Sequence, residues 1–304
     1  MTQSERFIAL VNVLAKSLVP LPDKPDESVN ATARALWFAA ADQACSIERA
    51  QREPIPPLTE DGVLRLERLV EKRLDGAPLA HLTGRQSFMG LELLAGPEAL
   101  VPRRETEILA KAALGKVKTL VQERGHVRAI DVCTGSGNLA LALAFHEPNA
   151  TIFAADLSLE ATALARRNVA LHHMDDRVIV RDGDLFAPFS GEDFHGQVDL
   201  VVCNPPYVSS GKVKALPSEI SQHEPALAFD GGPLGVTILS RLLKEAPAFL
   251  KPNSWLCFET GLGQGDHFRR SLSRIPEFSQ VETFADENGA TRALAAKTHS
   301  GPAR

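Results

Sequence analysis

Nowhere in this sequence do two cysteines stand close enough to share a metal ion or close a short disulfide loop. The four, Cys45, Cys133, Cys203 and Cys257, show no Cys-x-x-Cys spacing, which argues against a zinc site and against a disulfide framework. No metal is expected. A run of about 18 apolar residues, as a membrane-spanning helix requires, is also missing. The opening stretch MTQSERFIALVNVLAKSL has no cationic segment leading into an uninterrupted apolar core, unlike a secretory signal. The expectation is a protein of a reducing cytoplasm with no membrane partner. Excess positive charge is lacking as well: 33 Lys+Arg against 38 Asp+Glu give a formal net charge of −5. No stable nucleic-acid partner is therefore expected, since that would call for a basic domain or stripe. The pairs Arg103-Arg104, Arg166-Arg167 and Arg269-Arg270 stay open as local contacts, with a solvated helix or loop face the favoured reading. Internal repeats and low-complexity segments are absent.

What is present is the composition of an ordinary globular protein, 44% hydrophobic and 23% charged over 304 residues, enough for one large domain and a smaller one. Residues 1 to about 75 read as helices: FIALVNVLAKSLV, NATARALWFAAADQACSIERA and LTEDGVLRLERLVEKRLDG, separated by VPLPDKPDE and EPIPP. In the last, Val63, Leu66, Val70 and Leu74 recur at helical steps, Thr59 suits an N-cap and Gly76 a stop. HLTGRQSFMGLELLAGPEALVPRR suggests a short hairpin around Gly90 and Gly96, joined by Pro102 to a helix. Beyond Gly125, short apolar strands alternate with helical patterns, which predicts a parallel, doubly wound α/β sheet. The ending, SQVETFADENGATRALAAKT, suggests an antiparallel edge hairpin. The expected division is a helical domain over 1–76, a hairpin linker over 77–104 and an α/β domain over 105–304, in a monomer.

The ends of successive strands carry the chemistry. The first closes in DVCTGSG, residues 131–137, where Gly135 and Gly137 permit close backbone approach at a helix N-terminus. By itself this is also ordinary turn chemistry. The second strand ends in Asp156, placed to accept both ribose hydroxyls of a nucleoside, or simply to cap a helix. The third ends in GDLF, with Asp184 able to accept from an adenine amino group, and the fourth in NPPY, residues 204–207, which holds the chain's single tyrosine. The third glycine of Gly-x-Gly-x-x-Gly is missing, with Leu139 and Ala140 in its place, so a dinucleotide is disfavoured. A nucleoside sulfonium needs no pyrophosphate cradle, which points to S-adenosylmethionine.

DVCTGSGNLALALA together with NPPY resembles the class I S-adenosylmethionine-dependent methyltransferases acting on planar, sp²-bound nitrogen. More closely, HLTGRQSFMGLELL, VPRRETEIL, NPPYV, HEPALAFDGG and FETGLGQG are similar, in order and spacing, to the protein-(glutamine amide) methyltransferases of bacterial translation. The resemblance spans about residues 75–296. It implies a Rossmann-like methyltransferase fold and a protein substrate, a release factor first and a ribosomal protein second. It implies cofactor contacts from Arg103, Glu105, Thr106, Asp131, Thr134, Gly135, Gly137, Asp156, Leu157, Asp184, Leu185 and Asn204. Phe88, Asn204, Pro205, Pro206 and Tyr207 would hold the substrate, with Asn204, Pro205 and Tyr207 catalytic. Glu259, in FETG, reads as a strand-end carboxylate with no assigned role.

An amide nitrogen is a poor nucleophile because its lone pair is delocalised. Acceptors at the Asn204 side-chain oxygen and the Pro205 carbonyl would hold the NH₂ group in line and stabilise positive charge growing on nitrogen. Two consecutive prolines suit this, since they fix the backbone and remove competing N–H groups. Three departures from the family pattern bear on the substrate: Arg104 for a usual proline, Cys133 for a common glycine, and Pro233-Leu234 where an acidic residue is common. The other readings left open are a nucleobase amino-methyltransferase, a small-molecule N-methyltransferase and a non-catalytic cofactor-binding protein.

Overall fold

The computed structural model describes residues 2–19, 21 and 24–301; Pro20, Pro22 and Asp23 of the first proline-rich break lie outside them. Its contacts divide the chain into two units, residues 1–104 with 216–224 and residues 105–215 with 225–304. The first unit thus takes in the hairpin expected as a linker, and a segment remote in sequence.

In this unit α1 (Gln3–Ser17) starts at a capping box, the Thr2 hydroxyl accepting from the Glu5 N–H while the Glu5 carboxylate accepts from the Thr2 N–H. The stretch expected as one second helix is two, α2 (Val29–Ala40) and α3 (Ile47–Arg52). Asp42 takes a left-handed φ of 59°, which helical hydrogen bonding does not tolerate, and Ser46 caps a new start by accepting from the Arg49 N–H. α4 (Glu60–Leu74) begins at the Thr59 cap, as predicted, and α5 (Leu79–Thr83) follows. β1 (Arg85–Phe88) and β2 (Leu91–Leu94) form the hairpin. Its turn is Met89-Gly90, both at positive φ, as a tight hairpin turn requires; Gly96 lies beyond it. Leu14, Leu36, Trp37 and Leu66 share one apolar core, and the Trp37 indole donates to the Pro56 carbonyl at 2.8 Å.

A buried ion network fastens residues 216–224 to this core. Glu219 accepts from Lys24 at 2.6 Å and from Arg73 at 2.7 Å, and Arg73 also reaches Glu27 at 2.9 Å. All four side chains are under 10% exposed. Nearby, buried Glu224 takes the Arg103 guanidinium on one oxygen and the Val101 N–H, at 2.9 Å, on the other.

The second unit opens with α6 (Thr106–Arg124). β3 (Val127–Val132), α7 (Asn138–His146), β4 (Ala150–Asp156), α8 (Leu159–Leu171) and β5 (Val178–Asp182) then alternate as the pattern predicts. β6 (Val198–Cys203) is followed by two single-turn helices, α9 (Ser210–Val213) and α10 (Ser218–Ser221), the latter within the segment that belongs to the first unit. After α11 (Thr237–Glu245) come β7 (Leu250–Glu259), α12 (Gly265–Leu272), β8 (Phe278–Ala285) and β9 (Thr291–Thr298).

The strands lie in the order β5-β4-β3-β6-β7-β9-β8, with β9 antiparallel to both its neighbours and the other pairings parallel. The closing hairpin is therefore present, with β8 at the edge. Connections run outward from β3 to β5 and then return to β6 on the other side of β3. That reversal opens a ligand crevice at the carboxyl ends of the strands. Register fixes what stands there: Val132 pairs with Ala155 and with Cys203, and Cys203 with Phe258. The residues that follow, Cys133, Asp156, Asn204 and Glu259, therefore stand at one level.

The Arg73→Met variant should leave Glu219 and Glu27 short of a buried cation and lower the unfolding free energy of the full-length chain by about 3–5 kcal/mol. Urea denaturation followed by circular dichroism measures this. An unchanged midpoint would show that the network contributes nothing net.

Candidate active site

The glycine turn after β3 is built over a buried acid. Cys133, Gly135 and Gly137 hold φ at 58°, 55° and 83°, so the chain curls through the left-handed region at alternate residues. A left-handed position explains why glycine is common where Cys133 stands. Asp131, fully buried, accepts the Thr134 hydroxyl at 2.6 Å and the Ala140 N–H at 3.2 Å on Oδ2, while Oδ1 has no partner. Burial pushes its pKa up to about 7 against the pull of those two bonds. From β4, Asp156 accepts the Gly135 N–H at 2.8 Å and the Ser158 N–H at 3.0 Å. Its burial raises its pKa despite these bonds.

After β5, Asp184 pairs with Arg241 of α11 at 2.9 Å, and Arg241 also reaches Glu245 at 3.2 Å. The pair is partly exposed, and the carboxylate keeps lone pairs for a further donor. Leu185 beside it is buried, whereas Leu157 is 55% exposed next to Asp156.

The NPPY turn after β6 is held from three sides. Asn204 donates through Nδ2 to the Thr106 hydroxyl oxygen at 3.1 Å. The Tyr207 hydroxyl donates to Oε1 of Glu259 at 3.0 Å. The Gln264 amide donates to the carbonyls of Tyr207 and Gly235, both at 3.1 Å, and accepts the Gly261 N–H at 3.0 Å. A Cβ on Gly235 would stand 2.3 Å from the Tyr207 carbonyl oxygen, and one on Gly231 2.7 Å from that of Pro206. Gly231 of HEPALAFDGG and Gln264 of FETGLGQG are thus packing partners of NPPY.

Glu259 is the titratable group at the centre. Burial pushes its pKa up to about 7, while the Thr106 and Tyr207 hydroxyls, then the Arg292 charge, pull it down. Its Oε2 has no hydrogen-bond partner. Arg292 lies 3.5 Å from Glu105, at the start of α6. Burial, and secondarily the Glu259 charge, hold Tyr207 well above the ordinary phenol pKa, so it stays protonated and donates.

Glu105, Thr106, Asp131, Thr134, Gly135, Gly137, Asp156, Leu157, Asp184, Leu185, Asn204, Pro205, Pro206 and Tyr207 all belong to the second unit, and Arg103 and Phe88 to the first. Arg103 is engaged by Glu224, and Phe88 is 1% exposed. Sequence reasoning assigned no role to Glu259, Arg292, Gln264 or Glu224. The signal for three of them was available, since Glu224, Glu259 and Gln264 lie inside motifs already singled out.

A family model described as "Methyltransferase small domain" matches residues 112–247. The chain is also 34% identical over 239 residues to a release factor glutamine methyltransferase of Geobacter sulfurreducens, covering 78% of this chain and 79% of that one. The chain belongs to the protein-glutamine methyltransferase family. A second such relative, from Thermosynechococcus vestitus, is 36% identical with 80% of each chain covered. A ribosomal protein uL3 glutamine methyltransferase of Bradyrhizobium diazoefficiens is 37% identical, covering 67% of this chain and 64% of that one. Among solved structures, the hMettl16 catalytic domain in complex with MAT2A 3'UTR hairpin 1 matches with a TM-score of 0.53 at 16% identity, covering 94% of this chain and 96% of that one; it shares the fold.

The methyl donor of this methyltransferase is S-adenosylmethionine, and the residues present suit it. Left-handed glycines open the turn, Asp156 stands one strand away, and an unpaired Asp131 oxygen and an unpaired Ser136 hydroxyl lie buried at the turn.

Two buried acids with raised pKa give this methyltransferase a pH-dependent stability. For Asp131 and Glu259, each pushed up to about 7, the folded protein binds protons that the unfolded chain has released. Their contribution is complete below the unfolded carboxyl pKa and is lost as pH rises through about 7. The Asp131→Asn variant, which keeps an acceptor for Thr134 and Ala140, should therefore lose roughly 1 kcal/mol or more less than the wild type between about pH 5 and 8. Thermal scans of both proteins without cofactor measure it, and parallel curves would exclude Asp131 as the source.

Proposed function

We propose that this enzyme transfers a methyl group from S-adenosylmethionine to the side-chain amide nitrogen of a glutamine in a translation protein, a release factor first and a ribosomal protein second. Family membership supports the reaction class, and the names of the most similar relatives support the order of candidates. The observation that carries the site reading is the Asn204 contact. Because Nδ2 is spent on Thr106, Oδ1 is the Asn204 atom left to accept from a substrate amide.

Asp156 and the turn over Asp131–Gly137 would hold the cofactor, with Asp184, Leu157 and Leu185 toward its nucleoside and Glu105 and Thr106 toward its methionine end. Bound S-adenosylmethionine supplies an electrophilic methyl group on sulfur. Asn204 Oδ1 and the Pro205 carbonyl accept the two amide N–H bonds, and Tyr207 and Pro206 flank the planar amide. As the amide nitrogen takes up that methyl group, positive charge grows on it, and one amide proton then passes to water. Two acceptors fixed beforehand stabilise the positive charge without reorganisation. The helices of residues 1–76 provide a separate surface for a folded protein substrate, whose binding energy far from the reacting atom can orient the glutamine. Such a substrate places the enzyme, acting as a monomer, in the cytoplasm.

Purified chain, labelled cofactor and candidate release factor or ribosomal protein should give label in a glutamine side chain, insensitive to RNase. The Asn204→Ala variant should slow transfer by about 10²-fold with cofactor affinity nearly unchanged. RNase-sensitive label would move the substrate to a nucleobase. By calorimetry, Asp156→Ala should weaken S-adenosylhomocysteine binding by roughly 1–3 kcal/mol; an unaltered affinity would remove Asp156 from the cofactor site.

A further inference from the structure

Two leucines beside the Asn-Pro-Pro-Tyr turn stand in water. Leu234 is 79% exposed and Leu262 68%, although the backbone next to each is held by that turn. One side-chain amide spans the two positions: Gln264 donates through Nε2 to the carbonyls of Tyr207 and Gly235 and accepts the Gly261 N–H on Oε1. Leu234 precedes Gly235 and Leu262 follows Gly261, so each leucine is one residue from an end of this clamp. The loop of Leu234 is fastened further. The N–H groups of Val208 and Ser210 donate to the Phe229 and Gly232 carbonyls, both at 2.9 Å, and the Gly231 N–H donates to the Val208 carbonyl at 2.8 Å. On the other loop, a Cβ at Gly261 would stand 3.0 Å from Cδ2 of Tyr207.

We propose that Leu234 and Leu262 form an apolar rim that takes the side chains flanking the target glutamine, so that the substrate segment is apolar next to that glutamine. This inference deepens the reading of Asn204 and Pro205 as the amide site and rests on it. The Asn-Pro-Pro-Tyr turn reads an amide, which every glutamine offers. Discrimination among glutamines therefore comes from their neighbours. With the amide held at the turn, the substrate backbone is one side chain away, and its neighbouring residues come down on the loops around the turn. What those loops offer is set by their composition. Residues 225–235 and 260–265 hold no lysine or arginine, and their single acid, Asp230, is engaged by the Ser210 hydroxyl at 2.6 Å and the Gly232 N–H at 2.9 Å. A charged segment finds no free partner there, and an apolar one finds leucine. Leu234 is also a departure from the family pattern, apolar where an acidic residue is common.

The fixed backbone matters as much as the exposure. A leucine on a mobile loop loses chain freedom when it is covered, whereas Pro233 fixes its own φ before Leu234, and the hydrogen bonds around Gly235 and Gly261 have already ordered both loops. The gain from releasing water at the two side chains then goes to the complex. Exposed leucines joined in this way, beside a site and without a packing role, mark a contact surface.

Full-length wild type, Leu234→Ser, Leu262→Ser, the double serine variant and the double methionine variant are compared in steady-state methyl transfer to the purified release factor or ribosomal protein that wild type labels. Leu171→Ser, at an exposed leucine ending α8, is the control. Calorimetric S-adenosylhomocysteine affinity, thermal unfolding and sedimentation are measured alongside. The double serine variant should raise KM about tenfold, the scale of a methylene or more withdrawn from an apolar contact, with kcat within about twofold and cofactor affinity and melting temperature unchanged. Methionine at both positions should restore KM, and Leu171→Ser should leave it alone. Should the double serine variant fail to fold, the single variants, each expected to raise KM about threefold, decide. Mass spectrometry of the labelled protein should find an aliphatic residue within about two positions of the modified glutamine, since residues two apart in an extended segment face the same way. An unchanged KM, methionine as damaging as serine, or a glutamine flanked by charged residues alone overturns the inference and leaves the substrate reading intact. Wild type that self-associates through these leucines, with a monomeric double serine variant of unchanged KM, makes the rim a contact between copies and overturns it too. Wild type that labels no glutamine in either protein overturns the substrate reading, and this inference with it.

Discussion

Parallel pairing in register is the constraint on which the site depends. Because β3, β4, β6 and β7 run the same way and stop at the same level, the residues at the carboxyl end of each strand are delivered to one edge. Four segments far apart in sequence thereby become neighbours: the glycine turn, Asp156, the Asn-Pro-Pro-Tyr turn and Glu259. The sheet's centre is dry, with Ile130, Val201 and Leu256 at 0% exposure, since crossover helices cover parallel sheets on both faces. A dry floor under the crevice is what raises the pKa of Asp131 and Glu259, which stand where strand gives way to loop.

Those acids are costly to bury and would be poor choices for stability alone. Each is used to organise other groups. Asp131 gathers the Thr134 hydroxyl and the Ala140 N–H and so shapes the glycine turn, while Glu259 takes the Tyr207 hydroxyl and so steadies the Asn-Pro-Pro-Tyr turn. The first unit applies the same device differently. Glu219 and Glu224 lie on a short segment reached only after the Asn-Pro-Pro-Tyr turn, yet their partners Lys24, Arg73, Val101 and Arg103 come from the first 104 residues. Buried charge specifies that pairing more sharply than apolar contact would, since a misplaced segment would leave ions unpaired out of water.

The sequence by itself determined the alternation of strands and helices, the Thr59 cap, the closing hairpin and the family, because these depend on local periodicity, turn chemistry and short motifs. It also showed which motifs belong together, without showing why. The split at Asp42, the hairpin turn at Met89-Gly90 and the assignment of residues 216–224 to the first unit were decided by tertiary structure. Each depends on a backbone angle or a buried ion pair that periodicity does not encode. The same holds at the site. Asn204 and Tyr207 were visible in their motif, but Glu259 read as an ordinary strand-end acid. Its place follows only from desolvation and from the Tyr207 hydroxyl reaching it across about 50 residues of chain, a distance over which hydrogen bonds leave no trace in spacing.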